Sequence, residues 1–187
     1  VNKALPDIKI EVLGPPPTSG TRDAFVELAL EKGGCNKIKW IKAIKKKDKA
    51  KYAAYCHSIR EDGAYVEAGE NDNLIVSKLD ANPNALGVFG FNFLDQNSNV
   101  IQGAIIEGVP PEFSAIADGS YPVSRPLYFY VKNAHLDVIP GIREYVNEFM
   151  SDSASGDDGY LAARGMIPAL EAERVKLVPK VLNFTPM

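Results

Sequence analysis

The chain has 187 residues, of which 45% are hydrophobic and 24% charged, and its formal net charge is −3. Such a composition can bury a core in one or two compact units and excludes a disordered chain. The small negative charge excludes a global field that would draw the chain to nucleic acid or to an anionic membrane, so any anion must be held locally. No apolar run approaches the roughly 20 residues that cross a bilayer.

The opening VNKALPDIKI is not a signal peptide. Its first residue, Val1, suggests a processed or truncated product, so compartment is read from the cysteines. Residues 8–13, IKIEVL, alternate as a strand and run into GPPPTSGTRDAF, a rigid turn followed by a helix start. Pro15, Pro16 and Pro17 can neither donate to a ladder nor continue a helix. Thr18 or Ser19 can cap a helix with Phe25, Leu28 and Ala29 on its apolar stripe, and Gly33 and Gly34 are expected to stop it.

A second helix is predicted from about Asn36 to Lys47 and a third from about Lys49 to Arg60. The run 37–51 carries eight lysines around Trp40, Ile41 and Ile44. With Asp48, Glu61 and Asp62 close by, it reads as the solvated face of an amphipathic helix rather than a polyanion site. Cys35 and Cys56 bracket this segment at a spacing that predicts a disulfide across a helical hairpin, and hence an oxidising compartment. The alternative is two buried free thiols. Two cysteines with His57 beside one of them offer no metal site.

EDGAYVEAGEND reads as a short strand opening into a solvated loop, whose Glu61, Asp62, Glu67, Glu70 and Asp72 do not follow the order of a calcium-binding hand. Asn71 or Asp72 can cap a helix ending at Asn82-Pro83. The apolar run ALGVFGFNFL, 85–94, suits a buried strand, and VIQGAIIEGV is another strand candidate. A proline-rich stretch, 110–126, leads to the aromatic strand candidate PLYFYVKN, which looks like a crossing between lobes. The tail holds two helical patterns, Val138 to Met150 and Gly159 to Val178, joined by SDSASGDDG, expected to be a flexible polar run.

The feature that carries chemistry is TSGTRDAF, 18–25. It places small hydroxyl residues, a glycine and an arginine on the first turn of a helix, where amide N–H groups and the helix dipole favour an anion. Gly20 permits close approach, Ser19 and Thr21 can donate hydroxyl hydrogens, and Arg22 can give a forked contact to two oxygens. The simpler reading is a capped helix with Arg22 paired to a surface carboxylate. The glycine spacing does not fit a Walker loop. Neither a nucleophile with a base nor a histidine and carboxylate cluster is visible, so the chain reads as a binder without a cofactor rather than an enzyme.

This motif resembles the SGT-type loop of the phosphate-binding proteins of ABC-type importers. GENDNLIVSKL (69–79), NALGVFGFNFL (84–94) and YPVSRPLYFYVK (121–132) resemble further segments of that family in the same order. The resemblance implies an α/β, type II periplasmic-binding-protein-like fold that is present only in part. Residues 1–122 would form most of the second lobe, and 123–187 the crossing strand and closing helices that pack on the first.

It further implies a periplasmic location, inorganic phosphate as ligand and the importer's membrane subunits as partners, with no role for nucleic acid. The implied anion contacts are Ser19, Gly20, Thr21 and Arg22, with Thr18, Asn71 and Asp72 as caps or supporting residues. Some family members carry an arginine where this chain has Pro15, and Arg22 is expected to supply that charge. Arg125 is expected to be a hinge or surface residue. Other tetrahedral oxyanions such as sulfate, or a non-transport interaction module, stand as alternatives. With part of the fold missing, exposed apolar surface and self-association are expected.

Overall fold

The computed structural model describes residues 3–186, which divide into two compact units, one up to Gly103 and the other from Ala104. The first unit is built on a three-stranded, all-parallel sheet of β1 (Val12–Gly14), β2 (Tyr65–Glu67) and β3 (Leu86–Gly87), in the order β2-β1-β3. Val12 sits opposite Tyr65 on one side and Leu86 on the other. Parallel neighbours need crossover connections, and these are helical.

Between β1 and β2 lie α1 (Gly20–Phe25), a widened π-helical stretch (Val26–Gly34), a 3-10 turn (Cys35–Lys37), α2 (Lys39–Lys45) and α3 (Lys49–Cys56). Between β2 and β3 lies α4 (Asp72–Ala81). Leu13, Ala68 and Ile75 form the buried core against the sheet, with Val66, Leu79, Ala85 and Phe89 packed around them.

Three local expectations differ from the structure. The first strand covers Val12–Gly14 rather than 8–13, and Ile8 and Ile10 stay exposed because the ladder reaches only where β2 and β3 offer partners. As expected, Gly33 and Gly34 end their helix, Gly34 leaving helical geometry at φ −103 and ψ −81; a 3-10 turn follows and Ile38 is extended. The third helix ends at Cys56, with His57 as its cap. The run 85–94 is a strand only at Leu86–Gly87, after which Gly90 turns the chain into α5 (Phe91–Gln96). A short apolar run fits a buried strand or a helix equally well, and here Phe89 is the last residue the sheet core takes up.

The hairpin of α2 and α3 has a separate core of Cys35, Ile41, Tyr52 and Cys56, with Ile44 against it. The Cys35–Cys56 disulfide is formed, joining positions 21 residues apart in sequence with their Cα atoms 5.9 Å apart. The alternative of two free thiols is thereby removed. Asp48 caps α3 by accepting from the Lys51 amide at 2.9 Å. Outside the hairpin core, the Glu31 carboxylate accepts from Lys45 and lies 2.8 Å from His57 Nε2.

The second unit contains α6 (Phe113–Ala117), α7 (Ile142–Phe149), α8 (Asp152–Ser155) and α9 (Glu171–Leu182). Val146 and Ala154 are fully buried, and Phe129, Tyr145 and Phe149 form an aromatic cluster. The polar run 151–159 is not a flexible joint: the Ser151 hydroxyl accepts from the Ala154 amide and caps α8. VIQGAIIEGV forms no strand; Ile106 and Val109 pair in a single bridge across a turn with Glu107 and Gly108 at positive φ. PLYFYVKN is not a strand either, because no described strand lies beside it to accept its hydrogen bonds, and Leu127 stays 88% exposed. The two tail helices are shorter than predicted, 142–149 and 171–182, with a 3-10 turn at Ala162–Arg164 ahead of the second.

Candidate functional site

All three strands run the same way, so the loops that follow them, 15–19, 68–71 and 88–90, emerge at one edge of the sheet. β1 is the central strand, and the connection from β2 to β3 passes across it to its other side. In open α/β sheets the crevice at the carboxyl ends of such diverging strands is where ligands bind. The loop after β1 carries the TSGTR sequence into this edge. Pro15 is fully buried and ends the strand, Ser19 is extended at φ −86 and ψ 132, and α1 begins at Gly20.

Ser19 is the N-cap: its hydroxyl oxygen accepts from the Thr21 amide at 3.2 Å. This satisfies a first-turn donor without using up the side chain, since the Ser19 O–H can still donate outward. Gly20 is exposed, and a Cβ built on it meets nothing within 4 Å, so the backbone offers an open surface there. Thr18 reaches across to β2's loop, donating its hydroxyl to the Glu70 carboxylate.

Arg22 turns back toward the sheet. Its Nη1 donates to Glu67 Oε1 at 2.9 Å and lies 3.4 Å from the Pro15 carbonyl, and its guanidinium sits 5.1 Å from the centre of the Tyr65 ring. The Tyr65 hydroxyl donates to the same Pro15 carbonyl at 2.8 Å. Burial pushes the Tyr65 phenol up, with the guanidinium opposing. Gly14 permits this closure, because a Cβ there would lie 2.2 Å from the Tyr65 hydroxyl oxygen. Pro15 thus turns its carbonyl toward both Arg22 and Tyr65.

Asn71 caps α4, accepting from the Asn73 amide at 3.0 Å. Asp72, the first residue of α4, faces the loop after β3, its carboxylate 3.5 Å from the Gly90 amide. Burial raises its carboxyl and the Gly90 N–H partly offsets this. The carboxylate that contacts Arg22 is Glu67, the last residue of β2 and half exposed, so the capped helix with Arg22 paired to a surface carboxylate, the simpler of the two sequence readings, is present in the structure. Glu67 and Glu70, taken from the sequence as carboxylates of a solvated loop, and Tyr65, not singled out there, face the candidate site because β2 pairs in parallel with the strand that feeds the SGT loop. Among the described residues no group of histidine, cysteine or carboxylate side chains could hold a metal ion.

Residues 2–153 match the family profile of the PBP superfamily domain. This chain belongs to the PBP superfamily. Curated relatives of this PBP-superfamily chain include the phosphate-binding protein PstS of Staphylococcus haemolyticus, 30% identical over 170 residues, which cover 87% of this chain and 45% of the relative. PstS of Staphylococcus saprophyticus is 27% identical over 169 residues, covering 87% and 44%. The chain therefore spans less than half the length of these relatives. In structure it is similar to a possible phosphate-binding protein from Planctomyces limnophilus, with a TM-score of 0.61 and 22% identity over 99% of this chain and 57% of the other. The expected α/β binding-protein fold, present in part, is borne out.

Proposed function

We propose that this chain supplies one half of a phosphate clamp, with Ser19, Gly20 and Thr21 as the contacts and Arg22 as the charge behind them. Within the whole protein it would pass phosphate to the membrane subunits of an ABC-type importer. The observation that carries this reading is the position of the capped SGT turn. It lies at the carboxyl edge of the central strand, with an open glycine backbone and an arginine held beneath. The staphylococcal relatives, which are phosphate-binding proteins, suggest phosphate as the anion. The disulfide suits an exported protein in an oxidising compartment.

Arg22 has five N–H donors, and its contact with Glu67 engages one nitrogen, so it can act as a charge held near the anion while still anchoring the loop. Thr18, Asn71 and Asp72 shape the rim through Glu70, the α4 cap and Gly90. The chain acts as a binder, and a chromogenic phosphate ester is expected to show no turnover.

The test is a phosphate titration of the isotopically labelled chain, following the amides of Ser19 to Arg22 with sulfate as control. Saturable shifts confined to that loop, and weaker with sulfate, support the clamp. No shift by about 10 mM, where a contact worth roughly 3 kcal/mol begins to show, reduces the motif to a helix cap.

A further inference from the structure

The lysine-rich hairpin of α2 and α3 plays no part in the phosphate reading. Its sequence pattern places Trp40 on the same apolar stripe as Ile41 and Ile44, but the structure separates them. Ile41 is buried in the hairpin core, whereas Trp40 is 60% exposed and stands edge-on to Tyr55, itself 50% exposed, with ring centroids 5.6 Å apart. The hairpin has already closed its interior with Tyr52 and the Cys35–Cys56 disulfide. Two large rings are left in water on a rigid support, and rings with a polar edge are the side chains that settle at a membrane–water boundary.

The surroundings are cationic. Lys39 precedes Trp40, and Lys51 lies one turn before Tyr55 on the same face of α3. All eight lysines of 37–51 are exposed, against the single acid Asp48, whose carboxylate is engaged in capping α3. Lys45 turns to Glu31. A chain of net charge −3 thus concentrates positive charge around its one exposed indole.

We propose that this hairpin face docks on an anionic lipid bilayer, with Trp40 and Tyr55 entering the headgroup boundary and the lysines meeting lipid phosphates. A lysine patch alone would serve any polyanion. The exposed ring pair favours the bilayer over an inorganic polyanion such as polyphosphate, which offers no apolar layer for an indole to enter.

Trp40 is the only tryptophan, so its emission reports on this face alone. The experiment adds phosphatidylcholine vesicles, with or without half phosphatidylglycerol, to the intact chain. The expected result is a blue shift with the anionic vesicles only, quenched by lipids brominated in the acyl chain and lost in about 1 M salt, where the screening length is about 3 Å. Replacing Lys39→Gln and Lys51→Gln should weaken partitioning about fivefold each. Tyr55→Ala, at an exposed position, should weaken it with unchanged circular dichroism. The proposal is overturned by an equal shift on neutral vesicles, by the absence of acyl-chain quenching, or by an equal shift with soluble polyphosphate in place of vesicles.

Discussion

Arg22 and Glu67 offer the sharpest test of how the candidate site works. Arg22→Ala removes an ion pair whose carboxylate partner is 51% exposed, and such pairs are worth at most about 1 kcal/mol. It also removes a contact with the Tyr65 ring, about 0.5–1 kcal/mol at a partly exposed site. The 3.4 Å approach to the Pro15 carbonyl is too long to add much. Together these give a loss of about 1–2 kcal/mol in urea denaturation, with Arg22–Glu67 coupling below about 1 kcal/mol in a double-mutant cycle.

Phosphate binding should respond differently. Losing a charge-assisted contact costs about tenfold or more in affinity. Glu67→Gln releases Arg22 from its competitor and should raise affinity, by up to about fivefold if the whole ion pair was competing. Amide titrations of the two variants at fixed ionic strength decide the matter. Equal losses of affinity in Arg22→Ala and Glu67→Gln would refute a direct role for the arginine and leave it as a strut for the loop.

Four further outcomes are expected. Gly20→Ala should leave stability unchanged or slightly raised, since its Cβ enters open space, while the added methyl blocks the anion's approach and weakens the phosphate-induced amide shifts. Replacing Cys35 and Cys56 with alanine releases a closed loop with ends 21 residues apart and should cost about 3 kcal/mol of stability on the chain-entropy estimate, read by urea denaturation. The Glu31 carboxyl is held below its ordinary value first by Lys45 and then by His57. A depressed pKa means that its contribution is complete above the unfolded value of about 4.3 and is lost as pH falls through the lower folded value. Glu31→Gln should remove that part of the acid dependence, read in denaturation curves as pH falls below about 4.3. Finally, sedimentation should show self-association through the exposed Leu127, Tyr128 and Tyr130, relieved by Leu127→Ser with Tyr130→Ser; a wild-type monomer would contradict this.

Local chemistry was enough to read several features from the amino-acid order alone. The proline block, Ser19 and the following glycine define a strand end, a cap and a helix start within a few residues, because capping and proline geometry are settled by immediate neighbours. The cysteine spacing likewise predicted the disulfide, while the α/β class was implied by the resemblance of the TSGTRDAF, GENDNLIVSKL and NALGVFGFNFL segments to a known family. What the sequence could not decide was anything that depends on a distant partner. PLYFYVKN has every preference of a strand and forms none, because strand propensity means little without a neighbouring edge. The charge partner of Arg22 lies 45 residues away and was set by the parallel pairing of β1 with β2, which brings Glu67 and Tyr65 beside the loop that leaves Gly14. The lysine pattern around Trp40, Ile41 and Ile44 did not say which of the three is buried; only the packing of α2 against α3 showed that Ile41 and Tyr52 fill the interior and leave the indole outside.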